Sequence, residues 1–336
     1  MSQRFEESTP SKEEEPEEEQ QKTAEKTLNY EYEDSTMKQL IDEACRSEWN
    51  KYIRYSAAVP LDNGRPNGED ATKNDLTQLR SVVGSLSWVA RQGRPDLLYV
   101  VSRLQSEVKG ATVQTLRDAN KAVQMAQAGR DEVYVNFPLK LMEWKDVRVL
   151  SVSDASFANE PGSKSQQGRC QFLAPIRQLK TLGQTEFDVY PISFSSTTIK
   201  RVCRATLQCE AYALQGSMES GDRIRALLSE MSNCVPVGMK DWESISRQHC
   251  PQLCMSDCMS LVNHLNAQIM ARCQDKRDDQ DVETYEKYEN GGDKLIWFHM
   301  STMVADALTK KMKPDLLLKV LRTNRYSVEL VQKEKK

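Results

Sequence analysis

The stretch Arg148-Val149-Leu150-Ser151-Val152-Ser153-Asp154-Ala155-Ser156-Phe157 constrains this chain more than any other. Val149, Leu150 and Val152, with small residues between them, predict a short buried strand. The strand runs into an acid, and the chain then turns polar. A carboxylate at the C-terminal end of a central strand stands at the rim of a sheet, where α/β folds build their sites. An Asp that only opens a turn satisfies the same pattern. Three further acids, Glu210, Asp257 and Asp306, each fall at the start or end of a predicted element, and together they argue for more than a turn.

The flanking pattern predicts the rest of the sheet. Val133–Phe137 reads as a strand, and Gly168–Ile176 and Val189–Ser196 follow the central one as an antiparallel meander. A long helix is predicted from about Ala205 to Met231. Leu253–Asp257 is a fourth strand, followed by helical Met259–Ala267. The polar residues 275–289 are predicted helical. Lys294–His299 is a fifth strand, and Thr302–Lys310 a last short helix. The order predicts an α/β fold, a mixed five-stranded sheet with flanking helices.

Upstream the pattern is helical. Leu76, Leu79, Val83, Leu86 and Ala90 recur at helical spacing. Gly93-Arg94-Pro95 breaks that helix, and Pro95 suits the first turn of a second, with Leu98, Val101, Leu104 and Val108 on one face. Thr112 is placed to cap a third, carrying Val113, Leu116, Ala119 and Val123. Trp88 and Tyr99 are expected in its core. The expected organisation is a disordered acidic tail over 1–36, a linker with a short helix over 37–73, the helical unit over 74–130, the α/β domain over 131–322 and a basic tail over 323–336.

Charge follows that division. The net charge of −3 conceals 12 acids against 4 basic residues in the first 34 positions, leaving the remainder at +5. Nine Lys and Arg from Lys310 onward suit a polyanionic partner or a solvated amphipathic helix alike. No apolar run approaches the roughly 18 residues of a membrane span, and no secretory signal is visible. The nine cysteines are therefore expected reduced, in an intracellular protein that is not secreted. His249, Cys250, Cys254 and Cys258 contain possible zinc ligands, but their spacing is not that of common zinc sites. Buried thiols are the simpler reading.

Each acid has a plain structural explanation. Glu210 shares a helix face with Leu207, Ala211, Leu214, Ser217 and Met218, so it points toward the sheet; a buried carboxylate is costly unless paired, for instance with Arg204, or bound to metal. Asp257 suits a helix N-cap. Asp306 suits an early position in a short helix. Gathered at one end of a sheet, however, four carboxylates would hold hard divalent cations such as Mg²⁺. Two such ions about 3.5–4 Å apart activate water and stabilise the leaving oxygen in phosphodiester cleavage.

These landmarks resemble the ribonuclease H region of copia-type retrotransposon Pol polyproteins. Ser153-Asp154-Ala155-Ser156-Phe157-Ala158 is similar to its "sDAdwA" strand end, and Lys164-Ser165-Gln166-Gln167-Gly168 to its "KSTSG" turn. Ile192–Ser196 and Cys209–Leu214 resemble "iswsS…EAEyiAL". Met255-Ser256-Asp257 resembles the "DN" strand end, and Val304–Lys310 is close to "lADilTK". Leu79–Leu86 and Arg94-Pro95-Asp96-Leu97 resemble the C-terminal end of the family's reverse transcriptase. The resemblance spans about Leu79 to Leu321. It implies a ribonuclease H-like fold and metal-dependent cleavage of the RNA strand of RNA–DNA hybrids. Asp154, Glu210, Asp257 and Asp306 would be its catalytic metal ligands, and two Mg²⁺ or Mn²⁺ ions its cofactors. The expected partner is an RNA–DNA hybrid or other nucleic acid, with no membrane. The polymerase Tyr-x-Asp-Asp motif is absent, so DNA synthesis is not expected. Gln208 and Cys258 depart from the family's Glu and Asn, and His299 precedes Asp306 as the mobile His of cellular ribonucleases H precedes their last acid. The departures keep open a catalytically decayed remnant that binds nucleic acid or serves only as a folded module. An acidic-tailed interaction protein is a third reading.

Overall fold

The computed structural model describes residues 64–128, 147–175, 186–231, 241–266 and 293–328, together with Gln39, Glu43, Ser47 and Val59. The chain divides into two compact units, Met1–Lys51 and Tyr52–Lys336. In the first, Gln39, Glu43 and Ser47 are helical. The expectations for the acidic tail, for a strand at 133–137 and for a helix at 275–289 lie outside the described residues.

The second unit begins with three helices, α1 (Lys73–Gln92), α2 (Leu98–Glu107) and α3 (Val113–Ala128). Helix α1 opens on a capping box: Thr72 accepts from the Asp75 amide at 3.2 Å, and Asp75 accepts from the Thr72 amide at 2.9 Å. Leu79, Val83, Leu86 and Ala90 are buried along it, as their spacing predicts. At the α1–α2 corner, Arg94 is 3% exposed and forks onto Asp96 at 2.9 and 2.8 Å. It also donates to the Ala126 carbonyl at the end of α3 at 2.9 Å. The Arg-Pro-Asp motif therefore ties three helices together. Trp88 and Tyr99 depart from expectation. Trp88 is exposed on the outer face of α1, and half-buried Tyr99 reaches out of the unit to donate to Glu160 at 2.7 Å.

Strands β1 (Val147–Glu160), β2 (Lys164–Pro175), β4 (Tyr190–Thr198), β5 (Gln252–Ser256) and β6 (Lys294–Trp297) form one sheet in the order β4-β2-β1-β5-β6. The first three pair antiparallel, and β5 and β6 add parallel to β1. This is the mixed five-stranded α/β sheet that the element order predicts. The other helices are α4 (Thr206–Met231), α5 (Trp242–His249), α6 (Met259–Asn266) and α7 (Asp315–Thr323). Leu214 and Met218 of α4 pack with Cys254, Leu261, Val262 and Leu295 over the parallel half.

Under the middle of α4 the sheet is polar. Ser151 donates to Gln171 at 2.5 Å, Gln171 donates to the Ser217 carbonyl at 2.9 Å, and Gln252 donates to Ser151 at 2.5 Å. A Cβ at Gly221 would lie 2.1 Å from Gln252 Nε2, so the glycine lets helix and sheet approach closely. Leu207, expected on the buried stripe, is 36% exposed because it lies in the first turn of α4, whose inward residues begin with Cys209 and Glu210. The helix expected over Thr302–Lys310 is instead two 3₁₀ turns, Met300–Thr302 and Val304–Leu308. Residues beyond Thr323 are not all tail: β7 (Arg325–Ser327) pairs with β3 (Glu186–Asp188), and Tyr326 is fully buried.

Candidate metal centre

Asp154 sits where β1 outruns its parallel pairing with β5, which ends at Val152–Met255. Glu210 is on the inward face of the second turn of α4, and Asp257 directly follows β5. One carboxylate oxygen from each of the three lies within 4.8 Å of the other two. Asp154 and Glu210 are 1% and 5% exposed; Asp257 is half-buried.

Asp306, the fourth candidate, stands outside that group of three. It is joined to it through Lys310, whose ammonium contacts Asp306 Oδ1 and lies 3.5 Å from Asp154 Oδ2. Thr309 donates its hydroxyl to the same Asp154 oxygen. The segment is fastened to the sheet by two buried serines. Ser156 of β1 donates to the Thr309 carbonyl at 2.9 Å and Ser196 of β4 to the Leu308 carbonyl at 2.6 Å. Gly168, the register partner of Asp154, gives it room: a Cβ there would stand 2.8 Å from both Leu308 Cβ and Thr309 Cγ2. Lys310, Thr309 and the serines are positioned by this docked turn. Only the "TK" of the Asp306 motif hinted at them.

Burial and crowding raise the proton affinity of Asp154, Glu210 and Asp257. Burial, with Asp306 and Asp257 nearby, lifts Asp154 to about 7 against the opposing pull of Lys310. Burial, with Asp154 and Asp257 adding to it, lifts Glu210 to about 9; burial, with Asp306 adding to it and Lys310 opposing, raises Asp257. Glu210 Oε2 is buried without a hydrogen-bond partner. A buried carboxylate oxygen without a partner, on a side chain grouped with two other carboxylates, is costly unless the group is protonated or bound by a cation. Three carboxylates are also the oxygen donors that hard divalent ions take. The residues fit such an ion. Among the described residues they are the one group of His, Cys, Asp and Glu side chains so arranged.

The other candidates have structural employment. Gln208 accepts from the Arg204 amide at 2.9 Å and closes the first turn of α4, a task that needs no charge. The Cys258 amide donates to Ser256. His299 Nδ1 accepts from the Ser301 amide at 3.3 Å and caps a 3₁₀ turn. Cys250 and Cys254 are buried in separate apolar clusters, so the zinc reading falls away in favour of packing. All six described cysteines are free.

No protein-family model matches the chain. Over 164 residues, 49% of its length, it is 26% identical to the truncated transposon Ty1-A Gag-Pol polyprotein and to the transposon Ty1-LR2 Gag-Pol polyprotein, both of Saccharomyces cerevisiae. The match spans only 12% of the first and 8% of the second. Among solved structures, LC11-RNase H1 isolated from compost is 12% identical with a TM-score of 0.30, covering 51% of this chain and 98% of that one. A foamy viral protease-reverse transcriptase in complex with an RNA/DNA hybrid is 11% identical with a TM-score of 0.37, covering 85% of this chain and 29% of that one. Over about half its length, the chain is thus similar to a small portion of copia-type Gag-Pol polyproteins, in keeping with the resemblance of its motifs.

Proposed function

We propose that this chain is a metal-dependent nuclease that cleaves the RNA strand of RNA–DNA hybrids. Asp154, Glu210 and Asp257 would hold the catalytic cations, Mg²⁺ or Mn²⁺, and Asp306 would complete the set from the docked 3₁₀ turn. The observation that carries the reading is the convergence of three carboxylates, one with an orphaned buried oxygen, from three separate elements. Divalent cations bound there supply the charge that activates water and stabilises the departing oxygen of a phosphodiester. The protein's own part is positional. Thr309 fixes the orientation of the Asp154 carboxylate, the Ala155 amide supports Glu210, and Lys310 balances the charge of Asp154 and Asp306.

A labelled hybrid incubated with the protein and Mg²⁺ tests this. The RNA strand should be cut, and Asp154→Asn or Glu210→Gln should slow cutting by about 100-fold or more, at least the loss seen on disturbing a metal's supporting shell. Equal cutting by Asp154→Asn would overturn it.

Lys310 favours a second reading, a catalytically silent remnant in which the chain supplies its own cation to the acids. In that case Mg²⁺ should leave the melting temperature unchanged. A cation that binds the folded state alone raises stability by about 2.7 kcal/mol at 100 times its dissociation constant.

A further inference from the structure

We propose that the cleft between the helical unit and the segment leading from the docked turn to α7 binds a small planar aromatic anion. Such binding does not depend on whether the acids cut. The cleft encloses about 460 Å³, within the roughly 300–1,000 Å³ of small-molecule sites. Val100 and Leu104 of α2 and Ala122 and Met125 of α3 line its helical side; Met312 and Pro314 line the other. Met125 and Met312 are 45% and 52% exposed. Flexible, polarizable thioethers on both sides of a cleft adapt to the faces and edges of aromatic rings. Tyr99 adds a ring to the lining, steadied by its hydroxyl bond to Glu160 at 2.7 Å. A ring fixed in this way is a ready stacking partner.

Charge sets the sign of the ligand. The lining holds five cations against two acids, and both acids are already engaged. Asp96 is forked by buried Arg94 at 2.9 and 2.8 Å. Asp118 accepts from Gln114 at 3.0 Å and from Lys121 at 3.3 Å, with Arg103 at 3.9 Å. Lys310 is committed to Asp306 and Asp154. Lys311 and Lys313 remain. Both are exposed, and neither forms an ion pair with a described residue. They flank Met312, so an apolar body seated in the cleft would carry its negative group to their ammonium ends. A polyanion would instead call for cations spaced along a strand, with less apolar wall between them.

The position of the cleft gives its occupant reach. Ala307 and Lys310 belong both to its lining and to the segment that carries Asp306 and Thr309. A ligand there would touch α2, α3 and that segment at once, and so fasten the helical unit to the turn beside the carboxylate cluster.

The test is fluorescence titration of the full-length protein with 8-anilinonaphthalene-1-sulfonate, an aromatic anion that brightens on apolar surfaces. N-phenyl-1-naphthylamine, the same rings without the sulfonate, is titrated beside it. The anion should bind more tightly than the neutral probe. Lys311→Glu/Lys313→Glu should weaken the anion about tenfold, the order expected for two exposed ion pairs, and leave the neutral probe unmoved. Lys73→Glu/Lys200→Glu, equal in charge and outside the lining, should change neither. Met125→Trp, which fills the cleft from an exposed position on α3, should weaken both; a variant that loosened the fold would brighten both instead, and circular dichroism would identify it. Equal affinity for the two probes overturns the proposal, as does an anion affinity that neither the lysine reversal nor the filled cleft lowers. Displacement of the anion by an unlabelled RNA–DNA hybrid would assign the cleft to nucleic acid, and so overturn it as well. Failure of the nuclease reading alone would show as an absence of cutting beside titrations that follow this pattern.

Discussion

Glu210 pairs deep burial with an uncompensated oxygen, and this has a thermodynamic consequence. In the folded chain its proton is held to about pH 9, whereas the unfolded chain would release it near the usual 4.5. Across that window the folded state binds more protons, so stability falls as pH rises through it. Glu210→Gln removes the loss. Without divalent cations the variant should melt several degrees above the parent at pH 8 and show no such gain at pH 4, as scanning calorimetry would measure. Added Mg²⁺ should reverse the order at pH 8, because the amide is a poorer ligand. By the same sign, cation affinity of the wild-type chain should rise between pH 6 and 9 as the acids give up their protons. The sequence made Asp154, Glu210 and Asp257 legible because each stands at a fixed offset from an apolar run. Lys310 and Thr309 read only as part of a motif and a basic tail. Their reach to Asp154 depends on a 3₁₀ turn docked by Ser156 and Ser196, partners more than a hundred residues away.

At the scale of elements, the strongest periodicities were read at the right places. The strand at Val147, the long α4 and the three upstream helices lie where apolar spacing put them. Short elements escaped: β3 and β7 have three residues each, too few for a period, and α5 buries only Ser246. The polar network of Ser151, Gln171 and Gln252 was invisible for a different reason, since alternation rules expect apolar residues there. Gly168 carries the element-scale prediction. Gly168→Ala would drive a methyl group into Leu308 and Thr309, and overpacking of this kind costs about 1–3 kcal/mol. The 304–310 turn is expected to yield before β2 does. Cutting should therefore fall much more than the melting temperature, measured on the same preparation by hybrid cleavage and calorimetry.

For the molecule as a whole, polar links among the described residues join the helical unit to the sheet. Tyr99 donates to Glu160, and buried Gln166 donates to Ser102 on α2 and Ser196 on β4. Tyr99→Phe should cost about 1 kcal/mol, and Gln166→Ala about 1–3 kcal/mol because it strands buried polar groups. Amide hydrogen exchange should then quicken in Val113–Ala128 more than in the β1–β2 pair. Equal quickening in both would mean that the two parts open as one. The docked turn also bears on how the chain comes into being. Acids forced together would push a metal-starved chain apart, yet here an ammonium travels on the same short segment as one of them. A newly made chain can thus close this end of the sheet before meeting any ion, and material washed with chelator should keep its shape.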